Sequence, residues 1–360
     1  MGKTYPKLII RPEYIQHNVS QVVDIAKRAG LDITGVAKGF CGIPKAAQAL
    51  IDAGCMNVGL SRTEQLRPIK EYSPDITTLL TRLPMKSEVD EIVTWADITL
   101  NSEIETMAAL NEEALRQNKI HKVIIMKDIG DRREGYESEE EMIEACLKAE
   151  REFKGLELYG VGANYNCYGS VSPTKENLRD LVYVAEKVEK LIGRKLDIIS
   201  VGGTTVLNLV DTGDIPERVN NLRCGIATIT KAAYTWEEDI PDRKDSFRLQ
   251  AEIIELKNKP TLPRGKHGFA ALNEERKYED LGIRKRAILA IGSQDIGVGG
   301  GTIEAVNPKI KIWGSSSDHT MIDIEDCDTD FKIGDIVEFN INYVACMNLS
   351  KGWDINIEIE

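Results

Sequence analysis

The first 230 residues alternate between short apolar segments rich in β-branched residues and longer segments with helical periodicity. Segments of the first kind predict eight β-strands, at 33–38, 57–61, 76–81, 97–101, 122–127, 156–162, 197–203 and 219–223. Between them, segments such as 43–54 and 176–193 have the apolar spacing of amphipathic helices. Eight strand–helix units within about 220 residues have the size and order of a (β/α)8 barrel of the TIM type. A doubly wound open sheet is the alternative that this pattern leaves open.

The pattern changes after residue 235. Apolar alternation continues in FRLQAEIIELK, HTMIDI and IVEFNINYVA, but segments with helical periodicity disappear, and Pro, Gly, Asn and Asp separate the alternating runs. This pattern is typical of an all-β domain. We therefore expect an α/β chain with a barrel over residues 1–235 and a C-terminal all-β domain over 236–360. Residues 234–246 are the expected hinge. Whether the first residues of the chain pair with the β domain is left open.

Several serines predict where helices begin. Ser61, Ser102 and Ser138 are each followed three residues later by a glutamate, as in capping boxes. Ser172 precedes Pro173, and proline favours the first position of a helix. We expect helices to begin at these four serines.

The charge balance excludes some classes of partner. The chain of 360 residues has 46 Lys+Arg and 58 Asp+Glu, a formal net charge of −12, which argues against binding to nucleic acid or to an anionic membrane surface. No apolar run is long enough for a transmembrane helix, and the N-terminus is too polar for a signal peptide. The seven cysteines form no CxxC pair and the four histidines form no HxxxH pair. These features predict a cytoplasmic protein without a metal site.

Polar and glycine residues follow five of the predicted strands, at the barrel edge where active sites lie. They are Lys38 after the first strand, Asp131, Arg132 and Arg133 after the fifth, Asn164 and Tyr165 after the sixth, Gly202, Gly203, Thr204 and Thr205 after the seventh, and Arg223, Cys224, Gly225 and Ile226 after the eighth. The glycine-bearing turns offer backbone N–H groups to an anion. A lysine, a phosphate cradle and an arginine are the parts that hold pyridoxal 5'-phosphate. Taken singly, a solvated lysine, an ordinary turn and an ion pair at the barrel rim remain alternative interpretations.

Five motifs resemble those of the alanine racemase group of pyridoxal phosphate enzymes (fold type III), most closely its ornithine racemase branch. They are GVAKGF at Lys38, KDIGDRREGY at Arg133, SVGGTT at Gly203 and Thr204, NLRCGIA at Arg223, Gly225 and Ile226, and SDHTMIDI at Asp318. The resemblance implies that Lys38 binds the cofactor covalently and that Arg133 contacts its phenolic oxygen. It also implies that Arg223 faces the pyridine nitrogen, that Thr204, Gly225 and Ile226 bind the phosphate, and that Asp318 reaches the partner subunit's active site.

The sequence departs from alanine racemase at three places. The family's Gly-Tyr-Ala-Asp motif is replaced by Gly-Ser-Gln-Asp at 292–295, so the tyrosine that acts as second base is absent. The histidine that packs on the cofactor ring is replaced by Asn164, and Phe40-Cys41-Gly42 stands where a phosphate-binding tyrosine is expected. The second acid–base group is left open among five residues: Ser293, Asp295, His319, Tyr165 and Tyr168.

The resemblance implies a pyridoxal phosphate-dependent amino-acid racemase that interconverts L and D enantiomers, with ornithine as the leading substrate and lysine or alanine as further options. Asp295 or Asp318 is a candidate partner for the δ-ammonium of ornithine. Asp318, His319 and Tyr168 are the expected substrate-binding residues. A head-to-tail homodimer is expected, because the β domain would complete the partner's site. The alternatives are a non-catalytic cofactor carrier and a lyase or decarboxylase on the same scaffold.

Overall fold

The computed structural model describes residues 4–229, 243, 245–266, 278–299 and 301–360. The chain divides into two compact units, one formed by Pro12–Arg243 and the other by Met1–Arg11 together with Lys244–Glu360. The predicted boundary at 235/236 and most of the predicted hinge at 234–246 lie outside the described residues. The chain begins with strand β1 (Lys7–Ile10) and helix α1 (Pro12–Arg28).

The unit Pro12–Arg243 contains a closed barrel of eight parallel strands. They are β2 (Asp32–Val36), β3 (Asn57–Leu60), β4 (Thr78–Leu80), β5 (Ile98–Asn101), β6 (His121–Lys127), β7 (Leu156–Asn164), β8 (Ile198–Gly202) and β9 (Asn221–Cys224). Strand β2 pairs with β9, with Gly35 opposite Cys224, and this pairing closes the barrel. The predicted (β/α)8 barrel is confirmed, and the open sheet is excluded because its first and last strands would not pair.

Amphipathic helices connect most of these strands. They are α2 (Pro44–Asp52), α3 (Thr63–Tyr72), α4 (Val89–Trp95), α5 (Ile104–Arg116), α6 (Glu139–Arg151) and α7 (Lys175–Ile192). Helix α7 buries Leu178, Leu181, Ala185 and Val188, which recur at helical spacing along one face. A 3-10 turn lies between β2 and α2, and short 3-10 helices follow β8 and β9 directly. Within the described residues, no helix combines the length and apolar character needed to cross a membrane.

Two of the predicted helix starts are wrong. Helices α3 and α5 begin two residues after Ser61 and Ser102, and the residues that precede them, Arg62 and Glu103, make no side-chain cap. The reason is local, because β3 and β5 end directly before these serines. In both places the backbone needs a further residue after the serine to turn from the strand into the helix.

The other two predicted starts have different outcomes. Ser138 does begin α6, because its Oγ accepts a hydrogen bond from the Glu141 N–H at 3.2 Å. Helix α7 does not begin at Ser172. Its cap is Thr174, which forms a reciprocal capping box with Asn177.

The barrel interior is apolar on some strands and polar on others. Strands β4, β5, β6 and β8 contribute a fully buried apolar cluster of Leu79, Ile98, Leu100, Ile124, Met126 and Ile198. Strands β2, β8 and β9 contribute hydrogen-bonded polar side chains. Asn221 donates to the Thr34 hydroxyl at 3.1 Å and accepts from the Ser200 hydroxyl. The polar interior thus lies beneath the strand ends where the sequence places Lys38 and Arg223.

The second unit is a largely antiparallel sheet. Its remaining strands are β10 (Phe247–Pro260), β11 (Ile283–Leu289), β12 (Ile303–Ala305), β13 (Lys311–Ser315), β14 (Thr320–Asp323), β15 (Ile336–Ile341) and β16 (Asn356–Ile359). The strand order is β12-β15-β10-β11-β14-β13, and β1 pairs with both β10 and β16. Residues 7–10 are therefore a strand of this unit, a pairing that the sequence left open for the first residues of the chain.

Two short helices also lie in the second unit, where the sequence pattern predicted none. They are α8 (Ser293–Ile296) and α9 (Tyr343–Leu349). Helices of four and seven residues are too short to produce a recognisable helical periodicity. The β character of the unit was predictable from the alternation, whereas these two helices were not.

His121 gives the barrel a testable pH dependence. It is buried at the start of β6, its Nε2 lies 3.0 Å from the Thr99 hydroxyl, and burial lowers its pKa to about 4. Because the folded pKa lies below the unfolded one, stability present at neutral pH is lost as the pH falls from 6.5 toward 4. We expect the free energy of unfolding to fall by about 2 kcal/mol between pH 7 and pH 5 from this residue.

Urea unfolding at the two pH values measures this loss. His121→Gln should remove most of it, whereas His17→Gln, at an exposed position on α1, should leave it as in the wild type. An equal loss in wild type and His121→Gln would contradict the assignment.

Candidate active site at the barrel mouth

Lys38 lies where the first barrel strand ends. Strand β2 stops at Val36, and a single 3-10 turn, Ala37–Phe40, follows it. The turn is closed by Cys41, which has a left-handed φ of 54° and donates its N–H to the Lys38 carbonyl. Burial and then the nearby Arg133 lower the pKa of the Lys38 amine, while Cys167 and Glu134 oppose the shift. A partly buried lysine of this kind loses its proton more readily than a surface lysine and is a better nucleophile.

A glycine-bearing turn follows β8. Gly203 has a φ of 120°, and a Cβ at this position would lie 2.7 Å from the Tyr165 carbonyl oxygen. Only glycine fits this turn without strain. It leads into the 3-10 helix Thr204–Leu209, where the buried Thr204 hydroxyl lies 3.5 Å from the Cys224 sulfur.

The corresponding turn after β9 begins at Gly225 and leads into the 3-10 helix Ile226–Thr228. The two turns are neighbours, because Gly202 at the end of β8 pairs with Arg223 on β9. The structure thus brings together the two segments that the motifs assign to phosphate binding. Ile226, at the start of this 3-10 helix, is exposed.

Arg223 is buried inside the barrel mouth. Its Nη2 donates to the Ala163 carbonyl at 2.8 Å and to Asn164 Oδ1 at 2.9 Å, and its Nη1 donates to the Ser200 hydroxyl. Burial lowers the pKa of its guanidinium to about 10, which leaves it charged at neutral pH. The site therefore holds a fixed positive charge beside β7 and β8.

Two glycines make room for this guanidinium. A Cβ at Gly162 would lie 3.2 Å from Arg223 Nη1, and a Cβ at Gly202 would lie 2.7 Å from Nη2. A larger residue at Gly202 would also collide with the Asn164 side-chain oxygen. The glycines of β7 and β8 are thus explained by the close approach of one arginine side chain.

Glu134 is a site residue that the sequence analysis missed. Its side chain is 7% exposed, its Oε2 lies 2.8 Å from Arg133 Nε, and its Oε1 accepts a hydrogen bond from Asn164 Nδ2. In the sequence an acidic residue beside two arginines is typical of a solvated ion pair. The neighbouring Gly135, with a φ of 120°, was the available signal, because it folds the segment back against the Lys127 and Asp128 backbone.

Asp131 organises the loop that follows β7. It is 3% exposed, and its Oδ1 accepts hydrogen bonds from the N–H groups of Cys167 at 3.4 Å and Val171 at 3.2 Å. Its other oxygen, Oδ2, is buried with no hydrogen-bond partner. The loop carries Tyr168, whose side chain is 79% exposed. The predicted substrate-binding Tyr168 is therefore positioned by a buried carboxylate that the sequence analysis placed only at a strand end.

Tyr165 is unsuited to the role of second base that the sequence left open for it. Its ring is buried, and its hydroxyl donates to the Asn177 carbonyl at 3.2 Å. Burial raises the pKa of this phenol well above its usual range. A phenol that is held protonated against a helix backbone cannot accept a proton from a substrate at neutral pH.

The remaining predicted residues form one cluster in the second unit. The N–H groups of Ser293 and Gln294 donate to the carbonyls of Ser316 and Ser317 at 2.8 and 3.0 Å, so α8 lies against the 316–319 turn. Asp295 accepts a hydrogen bond from the Gly292 N–H at 3.0 Å. In the same cluster His319 Nδ1 lies 3.8 Å from Asp318 Oδ2. The two sequence motifs around 292–295 and 317–324 are thus adjacent in space.

The described residues contain no cluster of three or more His, Cys, Asp or Glu side chains that could hold a metal ion. One of the four histidines, His267, lies outside the described residues. The barrel mouth contains a lysine, two glycine-bearing turns and an Arg–Glu–Asn–Arg chain.

The turn after β8 can be tested by substitution. We expect Gly203→Ala to weaken pyridoxal 5'-phosphate binding at least about tenfold, because alanine avoids a φ of 120° and its Cβ would collide with Tyr165. Gly213→Ala is the matched control, since Gly213 also has a positive φ, 67°, but faces open space. Titration followed by cofactor absorbance measures both affinities, and equal affinities would contradict this role.

Comparison with known proteins agrees with the motif resemblance. Residues 10–231 match the family model described as alanine racemase, N-terminal domain. An ornithine racemase from Acetoanaerobium sticklandii is 36% identical over 344 residues, covering 95% of this chain and 96% of that protein. A lysine racemase from Thermotoga maritima is 35% identical over 346 residues, covering 95% of each protein.

A solved structure supports the fold. The alanine racemase from D-cycloserine-producing Streptomyces lavendulae matches with a TM-score of 0.74 and 15% identity, covering 99% of this chain and 98% of that chain. Together with the family model and the two racemases, it confirms the predicted combination of barrel and β domain. The chain belongs to the alanine racemase family and is an amino-acid racemase.

Proposed function

We propose that this chain interconverts the L and D forms of an amino acid, with ornithine as the leading substrate and lysine or alanine as further options. The observation that carries the proposal is the barrel mouth, where Lys38, the Gly203 and Gly225 turns and the buried Arg223 lie at the ends of β2, β8 and β9. The two curated relatives are named for ornithine and lysine, which supports a diamino substrate.

The residues at the mouth fit pyridoxal 5'-phosphate. Lys38 offers an amine whose pKa is lowered by burial, and the turn at Gly203 is a cradle that a Cβ would obstruct. We assign Gly203, Thr204, Gly225 and Ile226 to the phosphate. Arg223 is assigned to the pyridine nitrogen, Arg133 to the phenolic oxygen and Asn164 to the ring. When bound, the cofactor withdraws electrons from the substrate Cα and makes its proton acidic.

Lys38 is assigned the proton transfer on one face of the substrate. Its neutral amine accepts the Cα proton, and its ammonium returns one, so the lowered pKa brings both forms closer to neutral pH. Arg223 stays charged, so it donates hydrogen bonds and does not supply a proton. Arg223 thus keeps the pyridine nitrogen unprotonated, which limits side reactions such as transamination.

Inversion needs a second group on the opposite face, which we assign to α8. Ser293 takes the place of the family tyrosine, and Asp295 lies two residues later in the same turn. Ser293 is nearly buried, whereas His319 and Asp318 on the adjacent turn are largely exposed. A serine needs an activating partner to act as a base. Asp295 is the carboxylate on the same helical turn, so we propose Ser293 and Asp295 as the second catalytic pair.

The second unit also supplies the proposed contacts to the substrate side chain. Asp318 has a side chain that is 63% exposed, and we assign its carboxylate, beside His319, to the δ-ammonium of ornithine. His319, beside it, and Tyr168 on the barrel loop are assigned to the same substrate end. We propose a head-to-tail homodimer in which this cluster completes the site of the partner subunit.

A cytoplasmic location is part of the proposal. The seven cysteines, which all lie within the described residues, form no disulfide bond, as is typical of a reducing compartment. The net charge of −12 gives no support for a nucleic-acid partner. The proposed partners are thus a small amino acid and a second copy of the chain.

Solvent exchange tests the activity directly. We expect the cofactor-loaded protein in D2O to abolish the optical rotation of L-ornithine while deuterium enters at Cα, because both faces of the substrate are served. Lysine and alanine assayed in the same way rank the substrates. Sedimentation of the same sample should show the activity with the dimer, and an active monomer would overturn the shared-site arrangement.

The other outcomes separate the alternative functions. Deuterium uptake with retained rotation would mean that one face alone is served, as in a lyase or decarboxylase. A normal cofactor spectrum without exchange on any of the three amino acids would favour a non-catalytic cofactor carrier.

The substrate preference tests the carboxylates. We expect Asp318→Asn to lower the ratio of kcat/KM for ornithine to that for alanine about tenfold, because a charge-assisted hydrogen bond contributes roughly 1.5–3 kcal/mol. Asp295→Asn is measured beside it, and Asp328→Asn, an exposed carboxylate paired with Lys309, is the control. If Asp318→Asn and Asp295→Asn both leave this ratio unchanged, neither carboxylate binds the δ-ammonium of the substrate.

A further inference from the structure

Glu134 is a buried carboxylate for which neither the motif resemblance nor the compared proteins supply a role. It lies on the segment after β6, and each of its two oxygens has a partner. Oε2 lies 2.8 Å from Arg133 Nε, and Oε1 accepts a hydrogen bond from the Asn164 amide. A carboxylate 7% exposed costs free energy unless its charge is balanced, so its partners are part of its function.

Asn164 connects this carboxylate to Arg223. The asparagine amide has one donor end and one acceptor end, and each is used: Nδ2 donates to Glu134 and Oδ1 accepts from Arg223 Nη2 at 2.9 Å. The orientation of the amide is therefore fixed by a negative group on one side and a positive group on the other. This gives a continuous chain of Arg133, Glu134, Asn164 and Arg223.

Within the described part of the chain, Arg223 donates its hydrogen bonds to neutral groups, namely Ser200, Ala163 and Asn164. The carboxylate that acts on it electrostatically is Glu134, which favours its charged form against burial. Burial raises the pKa of the Glu134 carboxyl, Arg133 and Arg223 oppose this shift by favouring the charged form, and Asp131 adds to it. The buried arginine thus has its counter-charge one asparagine away.

The same carboxylate acts on Lys38. The charged or titratable groups that face Lys38 are Arg133, which disfavours its ammonium form, and Cys167 and Glu134, which favour it. Arg133 and Glu134 are consecutive residues with opposite effects. Removing the negative charge alone would leave Lys38 facing Arg133 without compensation.

We propose that Glu134 is a positioning residue that holds Arg133 directly and Arg223 through Asn164, and that its ion pair with Arg133 balances the positive charge near Lys38. The inference deepens the proposed function, because it names the group that holds in place the two arginines assigned to the cofactor. It concerns the protein's own side chains, so it can be tested before the cofactor is added.

The primary experiment measures the reactivity of Lys38 in the cofactor-free protein. An amine-reactive reagent labels the neutral amine, and peptide mass spectrometry quantifies the labelling of Lys38 across a pH series. In Glu134→Gln we expect the midpoint to move to lower pH by about half a unit or more, because a neighbouring negative charge is lost. Glu137→Gln is the matched control, since Glu137 is exposed on the same segment and pairs with Arg132. Its midpoint should equal that of the wild type.

A second variant and a second readout distinguish loss of the Glu134 charge from a general loss of structure. Glu134→Asp keeps the charge, so its midpoint should lie between those of the wild type and Glu134→Gln, and it serves if the glutamine variant does not fold. In the cofactor-loaded protein, the pH dependence of the visible absorption should shift in Glu134→Gln but not in Glu137→Gln. A merely structural role would lower the yield or stability without moving either midpoint.

Wild-type midpoints in Glu134→Gln would overturn the proposal, and so would equal shifts in Glu134→Gln and Glu137→Gln. Failure of the proposed function has a different signature. A protein that racemises no amino acid but shows the expected Lys38 shift would retain the role of Glu134 and lose the racemase assignment for the tested substrates.

Discussion

A full positive charge buried in the mouth of the barrel imposes the main constraint on this structure. Arg223 is 4% exposed, and its guanidinium is held by a carbonyl, a hydroxyl and an amide oxygen. Room for it comes from the glycines of β7 and β8. Its hydroxyl partner, Ser200, is held in turn by Asn221, which also bonds Thr34 on β2. Buried polar groups are stable only when such networks are satisfied.

The polar network explains why one part of the barrel interior departs from a purely apolar core. The cluster around Leu100 and Met126 has the apolar character usual for such barrels. Near β8 and β9, polar side chains that hold Arg223 in place occupy positions where apolar side chains would otherwise pack. The proposed cofactor would therefore meet a rigid donor, with Lys38 and the two glycine-bearing turns on the same rim.

Sequence patterns predicted the features that depend on local signals. The eight strands, Lys38 at the end of the first and the glycines of the β8 turn follow from periodicity and turn chemistry, which are encoded within a few residues. The helix starts at Ser61 and Ser102 were wrong because the preceding strand, and not the serine, decides where the helix begins. The pairing of β1 with β10 joins segments more than 230 residues apart, which no local pattern specifies.

The candidate site shows the same division. Arg223 and Thr204 lie where their motifs indicated, whereas Glu134 and Asp131 gain their roles only from residues brought in by other strands. Glu134 becomes a buried bridge because Asn164 on β7 meets it, and Asp131 becomes a loop anchor because the segment 167–171 folds over it. The Asn164 amide links two charges, because Nδ2 donates to Glu134 and Oδ1 accepts from Arg223.

The role of Arg223 is tested most directly by the ¹⁵N chemical shift of the pyridine nitrogen in protein loaded with ¹⁵N-labelled pyridoxal 5'-phosphate. A charged donor at Arg223 predicts the shift of an unprotonated nitrogen throughout the neutral pH range, because the guanidinium keeps its proton below a pKa of about 10. In Arg223→Glu the nitrogen should become protonated. A protonated nitrogen in the wild type would contradict the central claim that this buried charge faces the cofactor and sets its electronic state.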